Sequence, residues 1–477
     1  MLVGSEKRLA GSAALVVAAL TLLAFTAATA GARVGELDPA FGQAGKIGPE
    51  LTEYGGASDM AIGPDGSIVL IEGRRLVRLL PSGQPDPGFG DGGRVELPAE
   101  IDGLEFHPSN LVLDSEGRML LSATVKDPSR STGFPSILVS FPASWAVVLR
   151  LTTAGGLDPS FGEGRGYVRS DYGMHPYTSG GATVEDEDFP TAAAYGLQVD
   201  SHDRPVLLVA TTGMYSPCWG HGTTDWYPRA VVRLTTTGAL DAGFGGGDGV
   251  APLDRLAPSP LTVLALDAAD QPVVGSGEGS GCPHSGLVFR LGSDGSSLPG
   301  FGAEGALAYP RRYLTVIAPS GAMILRGVVE EEVLRVGPDG APDKTFGGDG
   351  EVPVPMLPGV GRIGWPVAVD GRGRTLIAGS FALPQPLPRR HPKLRHPRRK
   401  HRTFIAISRL LPDGRVDRGF GKQGWIVTPV GLYYATYLRQ VALDPRGRLV
   451  VLANASTLRR GSGFVIARYL LDAAGRT

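Results

Sequence analysis

The chain reads Leu37-Asp38-Pro39-Ala40-Phe41-Gly42 near its start, and this Phe-Gly turn returns six more times. Further copies begin at Pro85, Leu157, Leu240, Pro342 and Val416, and a copy at Leu298 lacks the aspartate. The repeated aromatic residues are Phe41, Phe89, Phe161, Phe244, Phe301, Phe346 and Phe420. Seven copies of one turn indicate a repeat architecture, in which each unit buries its apolar face against its neighbours.

The segments between the turns have the pattern of four short β-strands, which we name a to d. In the first complete unit, two apolar runs surround the Pro-Asp-Gly turn at 64–66, which predicts a hairpin. A second hairpin follows, from Leu76–Leu80 through the turn at Phe89 to Gly93–Leu97. Seven such units predict an all-β, seven-bladed β-propeller with four-stranded antiparallel blades.

The two ends of the chain complement each other. The last unit ends on a c-type strand at Leu470, and the missing turn and d-type strand occur at residues 37–47. We therefore expect the N-terminal strand to complete the last blade and close the ring, which leaves no open sheet edge.

The residue types of the turn fit a structural role. We expect the phenylalanine to fill the gap between blades, where an aromatic ring buries a large area. Glycine allows positive φ in a tight connection, and aspartate accepts backbone N–H bonds. Repeated aspartates could also hold a metal or act in catalysis, but a turn cap requires only these residue types and is favoured.

The repeat resembles the delta-60 repeat family, whose units combine an LD-x-x-FG turn with a following Gly and Val and a later DG-containing hairpin. Phe161-Gly162 with Tyr167-Val168, and the segment Val367 to Gly379, match that pattern. The resemblance covers nearly all of the chain after residue 34 and implies an exported, propeller-like protein without a defined activity.

The N-terminus predicts export. Lys7 and Arg8 precede an apolar run from Leu9 to Thr26, and small residues follow around Ala30. We interpret residues 1–32 as a cleaved signal peptide and residues 33–477 as a single propeller domain, secreted or otherwise extracytoplasmic. An uncleaved N-terminal membrane anchor is the alternative; the mature chain has no other predicted transmembrane segment. Net charge is −1 with 19% charged residues, so the composition favours neither nucleic acid nor a membrane surface.

Extra length is concentrated in the b–c and d–a connections, which emerge on one face of a propeller. These segments are Lys126 to Trp145, Asp171 to Thr191, Gly213 to Pro228 and Leu383 to Thr403. We name this side the elaborated face, and binding on a rigid scaffold commonly uses such loops, although relaxed constraint gives the same pattern. Cys218 and Cys282 lie in b–c loops of adjacent units, and because an exported chain permits their oxidation we predict a disulfide between them.

One of these loops is strongly basic. Residues Arg389 to Arg402 include eight Lys or Arg, three His and no acid, among them Arg389, Arg390, Arg398 and Arg399. With its many prolines the segment predicts a mobile loop. A solvated insertion is the favoured interpretation, and the alternative is a contact with a polyanion such as a cell-wall polymer, an anionic lipid or a nucleic acid. No aromatic residue is present in the segment for base stacking.

Strand a lines the channel of a propeller. The channel position reads Asp59, Asn110, Gly196, Val263, Leu314, Pro366 and Gln440 along the chain. The polar members Asp59, Asn110 and Gln440 come from blades that become adjacent once the ring closes, which suggests a polar patch. A single carboxylate is too few for a central metal, and no catalytic motif is present, so we expect no metal, no cofactor and no catalytic residues.

The sequence therefore favours a monomeric, exported binding protein that presents its loops to a protein, glycan or anionic envelope polymer. The alternative is a propeller hydrolase or lyase acting on a small or carbohydrate substrate at the channel mouth near Asp59. A structural envelope component is a third possibility. The propeller shape by itself does not decide between these functions.

Overall fold

The computed structural model describes residues 34–52, 56–134, 139–174, 190–211, 229–253, 261–276, 286–327, 331–384, 401–433, 435–456 and 462–472. Within these ranges the regular structure is β-strand, and no helix there is long and apolar enough to span a membrane. In chain order the strands are β1 (Lys46–Thr52), β2 (Asp59–Ile62), β3 (Ile68–Glu72), β4 (Arg75–Leu79), β5 (Arg94–Glu96), β6 (Glu100–Ile101), β7 (Leu104–Glu105), β8 (Pro108–Leu113), β9 (Met119–Phe134), β10 (Val139–Leu151), β11 (Tyr167–Ser170), β12 (Ala192–Val199), β13 (Pro205–Thr211), β14 (Arg229–Arg233), β15 (Val250–Pro252), β16 (Val263–Leu266), β17 (Pro272–Gly275), β18 (Leu287–Arg290), β19 (Ala306–Ala308), β20 (Arg312–Ile317), β21 (Met323–Gly327), β22 (Glu332–Val336), β23 (Glu351–Pro353), β24 (Met356–Leu357), β25 (Gly361–Arg362), β26 (Trp365–Val369), β27 (Thr375–Pro384), β28 (His401–Leu410), β29 (Trp425–Tyr433), β30 (Ala435–Leu443), β31 (Leu449–Ser456) and β32 (Ser462–Tyr469).

The strands form seven four-stranded antiparallel sheets. Blades 1 to 6 are β2–β5, β8–β11, β12–β15, β16–β19, β20–β23 and β26–β29, and blade 7 has the order β1-β32-β31-β30. Small hairpins, β6–β7 and β24–β25, lie in the connections after blades 1 and 5. The innermost strands contact one another in sequence, and β30 contacts both β26 and β2, so the sheets form a closed ring. The predicted seven-bladed propeller is confirmed.

Ring closure occurs through the N-terminal strand, as the sequence predicts. Strand β1 pairs antiparallel with β32, from Lys46 opposite Ala467 to Thr52 opposite Ser462. The outer edge of β32 is thereby hydrogen-bonded to a segment from the other end of the chain. Blade 7 is complete only when both ends of the chain are folded together.

The extra length after strand b takes a more regular form than the sequence suggests. In blade 2, β9 and β10 continue as a hairpin well beyond the other blades, and in blade 6 Pro384 pairs with His401. The prediction of a mobile loop through Arg402 is wrong at its end, because His401 and Arg402 belong to β28. The physical reason is that antiparallel pairing of strands b and c continues past the body of the blade and satisfies their backbone groups.

The repeated phenylalanines lie between adjacent blades, where the sequence analysis expected them. None of the seven is more than 1% exposed: Phe41, Phe89, Phe161, Phe244, Phe301, Phe346 and Phe420. Phe161 of blade 2 packs against Gly238 of blade 3, where an added Cβ would lie 3.1 Å from the ring. The N–H of Gly162 also donates to the carbonyl of Thr237, at 2.9 Å. Each turn therefore connects one blade to the next.

A buried arginine completes this connection, and it lies outside the LD-x-x-FG turn itself. Asp158 accepts the N–H of Ser160 through Oδ1 at 2.9 Å, and Nε of Arg150 donates to its Oδ2 at 2.7 Å. The guanidinium of Arg150 lies 4.6 Å from the centre of the Phe161 ring and donates to the carbonyl of Thr236 in blade 3. The arginine precedes the aspartate by eight residues in Arg78–Asp86, Arg150–Asp158, Arg233–Asp241, Arg335–Asp343 and Arg409–Asp417. That fixed spacing is the sequence signal that could have revealed it.

Blade 4 keeps its charges balanced in another way. Leu298 stands where the turn aspartate would be, so Arg290 has no acid in its own turn. In the same blade, Gln271 replaces the arginine that elsewhere binds the aspartate of the a–b turn, as in Arg118, Arg204, Arg374 and Arg448. Asp267, the a–b turn aspartate of blade 4, therefore has no arginine in its own turn and pairs with Arg290 instead. Nε of Arg290 also donates to Oε1 of Gln271 at 3.3 Å. Two departures from the repeat pattern thus compensate each other in one blade, since neither buried ion is left alone.

Candidate functional site at the channel mouth

The structure brings the three polar channel residues around one cavity. Asp59 begins β2, Asn110 lies in β8 and Gln440 in β30, and these strands are neighbours in the ring. The channel cavity has a volume of about 410 Å³ and is also lined by Gln198 of β12. Among the residues that line it in the described part of the chain, Asp59 is the one that titrates.

These side chains bond the free edges of the innermost strands. The N–H of Met60 donates to Oε1 of Gln440 at 2.6 Å and to Oδ1 of Asp59 at 2.9 Å. The N–H of Leu111 donates to Oδ2 of Asp59 at 2.7 Å. An innermost strand has one edge without a sheet partner, so its amides need other acceptors. Gln440 therefore links blade 7 to blade 1, and Asp59 links blade 1 to blade 2.

Asp59 is the ionisable group of this cavity with a strongly shifted pKa. Burial raises the pKa of Asp59 from 3.8 to about 6. The hydrogen bonds that its carboxylate accepts from the N–H groups of Met60 and Leu111, and its interaction with the amide of Gln440, lower this pKa but do not outweigh burial. Desolvation disfavours the carboxylate more than these donors stabilise it. Asp59 consequently changes its charge in mildly acidic solution.

We expect ionisation of Asp59 to weaken the fold. Because its pKa is raised in the folded state, the folded protein holds this proton more tightly than the unfolded chain does. The free energy of unfolding of the wild type should therefore fall, relative to Asp59→Asn, as the pH rises from 3.8 to about 6. Denaturant unfolding of both proteins across this interval measures the difference.

The matched control is Asp65→Asn in the adjacent a–b turn. Burial raises the pKa of Asp65, but hydrogen bonds from Ser67 outweigh it and lower the pKa overall. The wild type should accordingly lose stability relative to Asp65→Asn as the pH falls below the ordinary aspartate range. A wild-type minus Asp59→Asn difference that is constant between pH 3.8 and 6 would show that Asp59 ionises normally.

The channel position does not align equally in all blades. In blades 2 and 7 a register shift precedes Asn110 and Gln440, whereas in blade 5 it follows Leu314. A bulge changes the side to which the residues after it point. Because Leu314 comes before the bulge of its strand, its side chain does not face the channel and is buried between blades at 2% exposure. Counting residues back from the a–b turn could not detect this shift.

A wider groove lies on the elaborated face. Its two cavities have volumes of about 970 Å³ and about 470 Å³, and Arg74 and His107 line both. The larger cavity extends past the β6–β7 hairpin to Lys126 of β9, and the smaller one reaches Arg439 and Asn454 of blade 7. We use "the groove" for these two cavities together; it crosses blades 7, 1 and 2.

Two carboxylates and a histidine come together on the opposite face. Within the described ranges, Asp200, His202 and Asp270 offer ligand atoms within 4.8 Å of one another. Asp200 already pairs with Arg204 at 2.7 Å, and Asp270 accepts the hydroxyl of Ser201 at 2.6 Å. The same contact occurs between Ser115 and Asp203 one blade earlier, so it is part of the packing of neighbouring a–b turns.

Several residues of the sequence analysis lie outside the described residues. They are the predicted signal peptide 1–32, the predicted disulfide pair Cys218 and Cys282, and Arg389, Arg390, Arg398 and Arg399 of the basic segment. Export, the disulfide and the role of the basic segment stay predictions.

No protein-family model matches the chain, and no curated protein matches it. Among solved structures, a streptogramin B lyase is 10% identical, with 88% of this chain and 96% of that chain covered and a TM-score of 0.42. A putative gluconolactonase is 11% identical, covering 92% and 97%, with a TM-score of 0.35. The calcium-binding protein regucalcin from Agrobacterium tumefaciens is 12% identical, covering 73% and 88%, with a TM-score of 0.33. The propeller assignment rests on the sheet order, and membership of the delta-60 repeat family stays a prediction.

Proposed function

We propose that this protein is an exported binding protein that holds an envelope or extracellular partner on its elaborated face. The observation that supports it most is the groove, with cavities of about 970 Å³ and about 470 Å³ in a rigid ring. Cavities of this size accommodate small-molecule or oligomeric ligands. The apolar run and small residues near the N-terminus support export.

The two faces of the ring differ in a way that favours this assignment. The a–b turns are short and closed by their own side chains: Asp200 accepts the N–H groups of His202 and Arg204 at 3.0 and 2.9 Å. On the elaborated face the β9–β10 and β27–β28 hairpins extend past the blades, and Lys126, Pro128 and Pro142 of the first hairpin line the larger cavity of the groove. The elaborated face therefore offers a partner a concave surface lined by polar groups.

A hydrolase or lyase at the channel mouth is the second candidate. It is favoured by the raised pKa of Asp59, since perturbed carboxyl groups in cavities often act as acids or bases. Against it, both oxygens of Asp59 already accept backbone N–H bonds from Met60 and Leu111. That arrangement fixes blade 1 to blade 2 and leaves fewer lone pairs for a substrate, so binding is the better-supported function.

The test is binding of the protein without residues 1–32 to cell-envelope fractions across a salt series. We expect saturable binding. A variant without residues 385–400 then shows whether the basic segment is the binding site. The deletion ends at residue 400 because His401 and Arg402 belong to β28. Binding that persists in this variant supports the groove as the site, and binding that disappears assigns it to the basic segment of the same face. No saturable binding, together with turnover that Asp59→Asn abolishes, would replace the proposal by the enzymatic one.

A further inference from the structure

We propose that the groove across blades 7, 1 and 2 binds an acidic oligosaccharide, with Arg74 as the anchor for a sugar carboxylate. The inference rests on the proposed binding function of the elaborated face and names the chemical class of the ligand. It concerns residues of the ring itself, and it is independent of the basic segment at 389–402.

Arg74 occupies the point where the two cavities meet. It lies in the two-residue turn between β3 and β4, and it lines both the larger and the smaller cavity. Its backbone carbonyl accepts the N–H of Leu97, which fixes the turn at the start of the blade 1 to blade 2 connection. A ligand that spans both cavities would pass Arg74 and His107, the two residues that line both.

The charge of Arg74 has no protein partner in the part of the chain that the structure describes. Its neighbour Arg75 differs, because Nε of Arg75 lies 2.6 Å from Oε1 of Glu96. Arg74 is half-buried, so part of its hydration is lost without compensation from an acid. A planar guanidinium in this state suits a carboxylate, which accepts two parallel N–H bonds from it.

The other charges of the groove favour a ligand with well-separated anionic groups. Lys126 lies in the larger cavity and Arg439 in the smaller one, on either side of Arg74. Glu100 and Glu105 also line the larger cavity, and Glu105 pairs with His107 at 3.0 Å. These acids would repel a densely charged phosphate chain, whereas they can accept hydrogen bonds from hydroxyl groups.

The neutral groups agree with a hydroxyl-rich ligand. Ser58 lies in the smaller cavity, and Ser109 and Thr124 lie in the larger one. The described lining of both cavities includes no Phe, Tyr or Trp, so stacking of nucleic-acid bases has no platform there. Hydroxyl donors and acceptors around a central cation are the groups that a sugar acid would use.

The experiment is calorimetric titration of the protein lacking residues 1–32 with trigalacturonate and with neutral galactotriose. We expect trigalacturonate to bind at least tenfold more tightly than the neutral trisaccharide, since its carboxylates pair with Arg74 and its neighbours. Arg74→Gln should weaken trigalacturonate binding at least tenfold and leave galactotriose binding unchanged. Thermal unfolding of the variant checks that the ring is intact.

Arg75→Gln is the matched control, because Arg75 is the adjacent arginine, pairs with Glu96 and lines neither cavity. It should leave trigalacturonate binding within about twofold of the wild type. Three results would overturn the inference. They are equal binding of trigalacturonate and galactotriose, unchanged trigalacturonate binding by Arg74→Gln, and tighter binding of inorganic polyphosphate than of trigalacturonate. Saturable binding to envelope fractions without binding of trigalacturonate would overturn this inference alone, whereas loss of both would contradict the proposed function as well.

Discussion

A chain that begins at Gly56 is expected not to form a stable propeller, whereas one that begins at Val34 should fold fully. The shorter chain lacks β1, so the outer edge of β32 loses its hydrogen-bonded partner along the whole pairing from Lys46 to Thr52. An unpaired sheet edge both loses stability and promotes aggregation. Size-exclusion chromatography and thermal unfolding followed by circular dichroism measure the outcome.

Buried charge makes the loss larger than one strand would suggest. Oδ2 of Asp38 accepts Nε of Arg468 and Nη1 of Arg448, each at 2.9 Å. Arg468 is 2% exposed and lies 4.4 Å from the centre of the Phe41 ring. Without residues 34–55 the buried Arg468 loses its acid, whereas Arg448 keeps Asp444, and a buried charge without its partner costs roughly 3–5 kcal/mol.

Two variants test this explanation of closure. Phe41→Ala in the full chain keeps β1 but empties the site between blades 7 and 1, and it should cost about 3–5 kcal/mol. A chain beginning at Val34 controls for the removal of residues 1–33. Equal unfolding temperatures for the chains beginning at Val34 and Gly56 would mean that the strand is dispensable and that the ring closes by other contacts.

Gly162→Ala is expected to be strongly destabilising, although it adds only one methyl group to a Phe-Gly turn. Gly162 has φ +64, and a Cβ there would lie 2.0 Å from the backbone oxygen of Tyr167. The left-handed conformation costs an alanine about 1–2 kcal/mol. Relief of the clash adds about 1–3 kcal/mol, because the obstacle is backbone and cannot rotate away. Denaturant unfolding should therefore show a loss of roughly 2–5 kcal/mol.

Gly164→Ala separates the two causes of this loss. Gly164 has φ +89, but an added Cβ there would have nothing within 4 Å. Its substitution should cost only the conformational part, about 1–2 kcal/mol. If both variants lost the same stability, the approach of the turn to strand d would not explain why glycine follows phenylalanine in each repeat.

The sequence allowed the fold to be predicted because the Phe-Gly turn occurs seven times along the chain. A Phe-Gly turn needs an aromatic side chain with an apolar gap to fill and a residue without Cβ, and both are visible in residues 157–162. Closure by the N-terminal strand was predictable as well, since the missing part of the last unit stands at residues 37–47.

The candidate site was predictable in part. Asp59, Asn110 and Gln440 were identified from their place in strand a, and they line one cavity. Leu314, at the corresponding place in blade 5, is buried between blades because the register shift follows it there. Arg74 went unnoticed, since nothing in an isolated Gly-Arg-Arg turn distinguishes a paired arginine from one without an acid.

The sequence by itself determined the number of blades, the order of strands and the face on which the long connections emerge. These properties follow from turn chemistry and apolar spacing, which act within a few tens of residues. Only the tertiary structure decided that Asp38 shares Arg448 and Arg468, that Arg290 takes Asp267, and that two cavities meet at Arg74. Those contacts depend on which blades become neighbours and on where each strand shifts its register, so they exist only after the ring has closed.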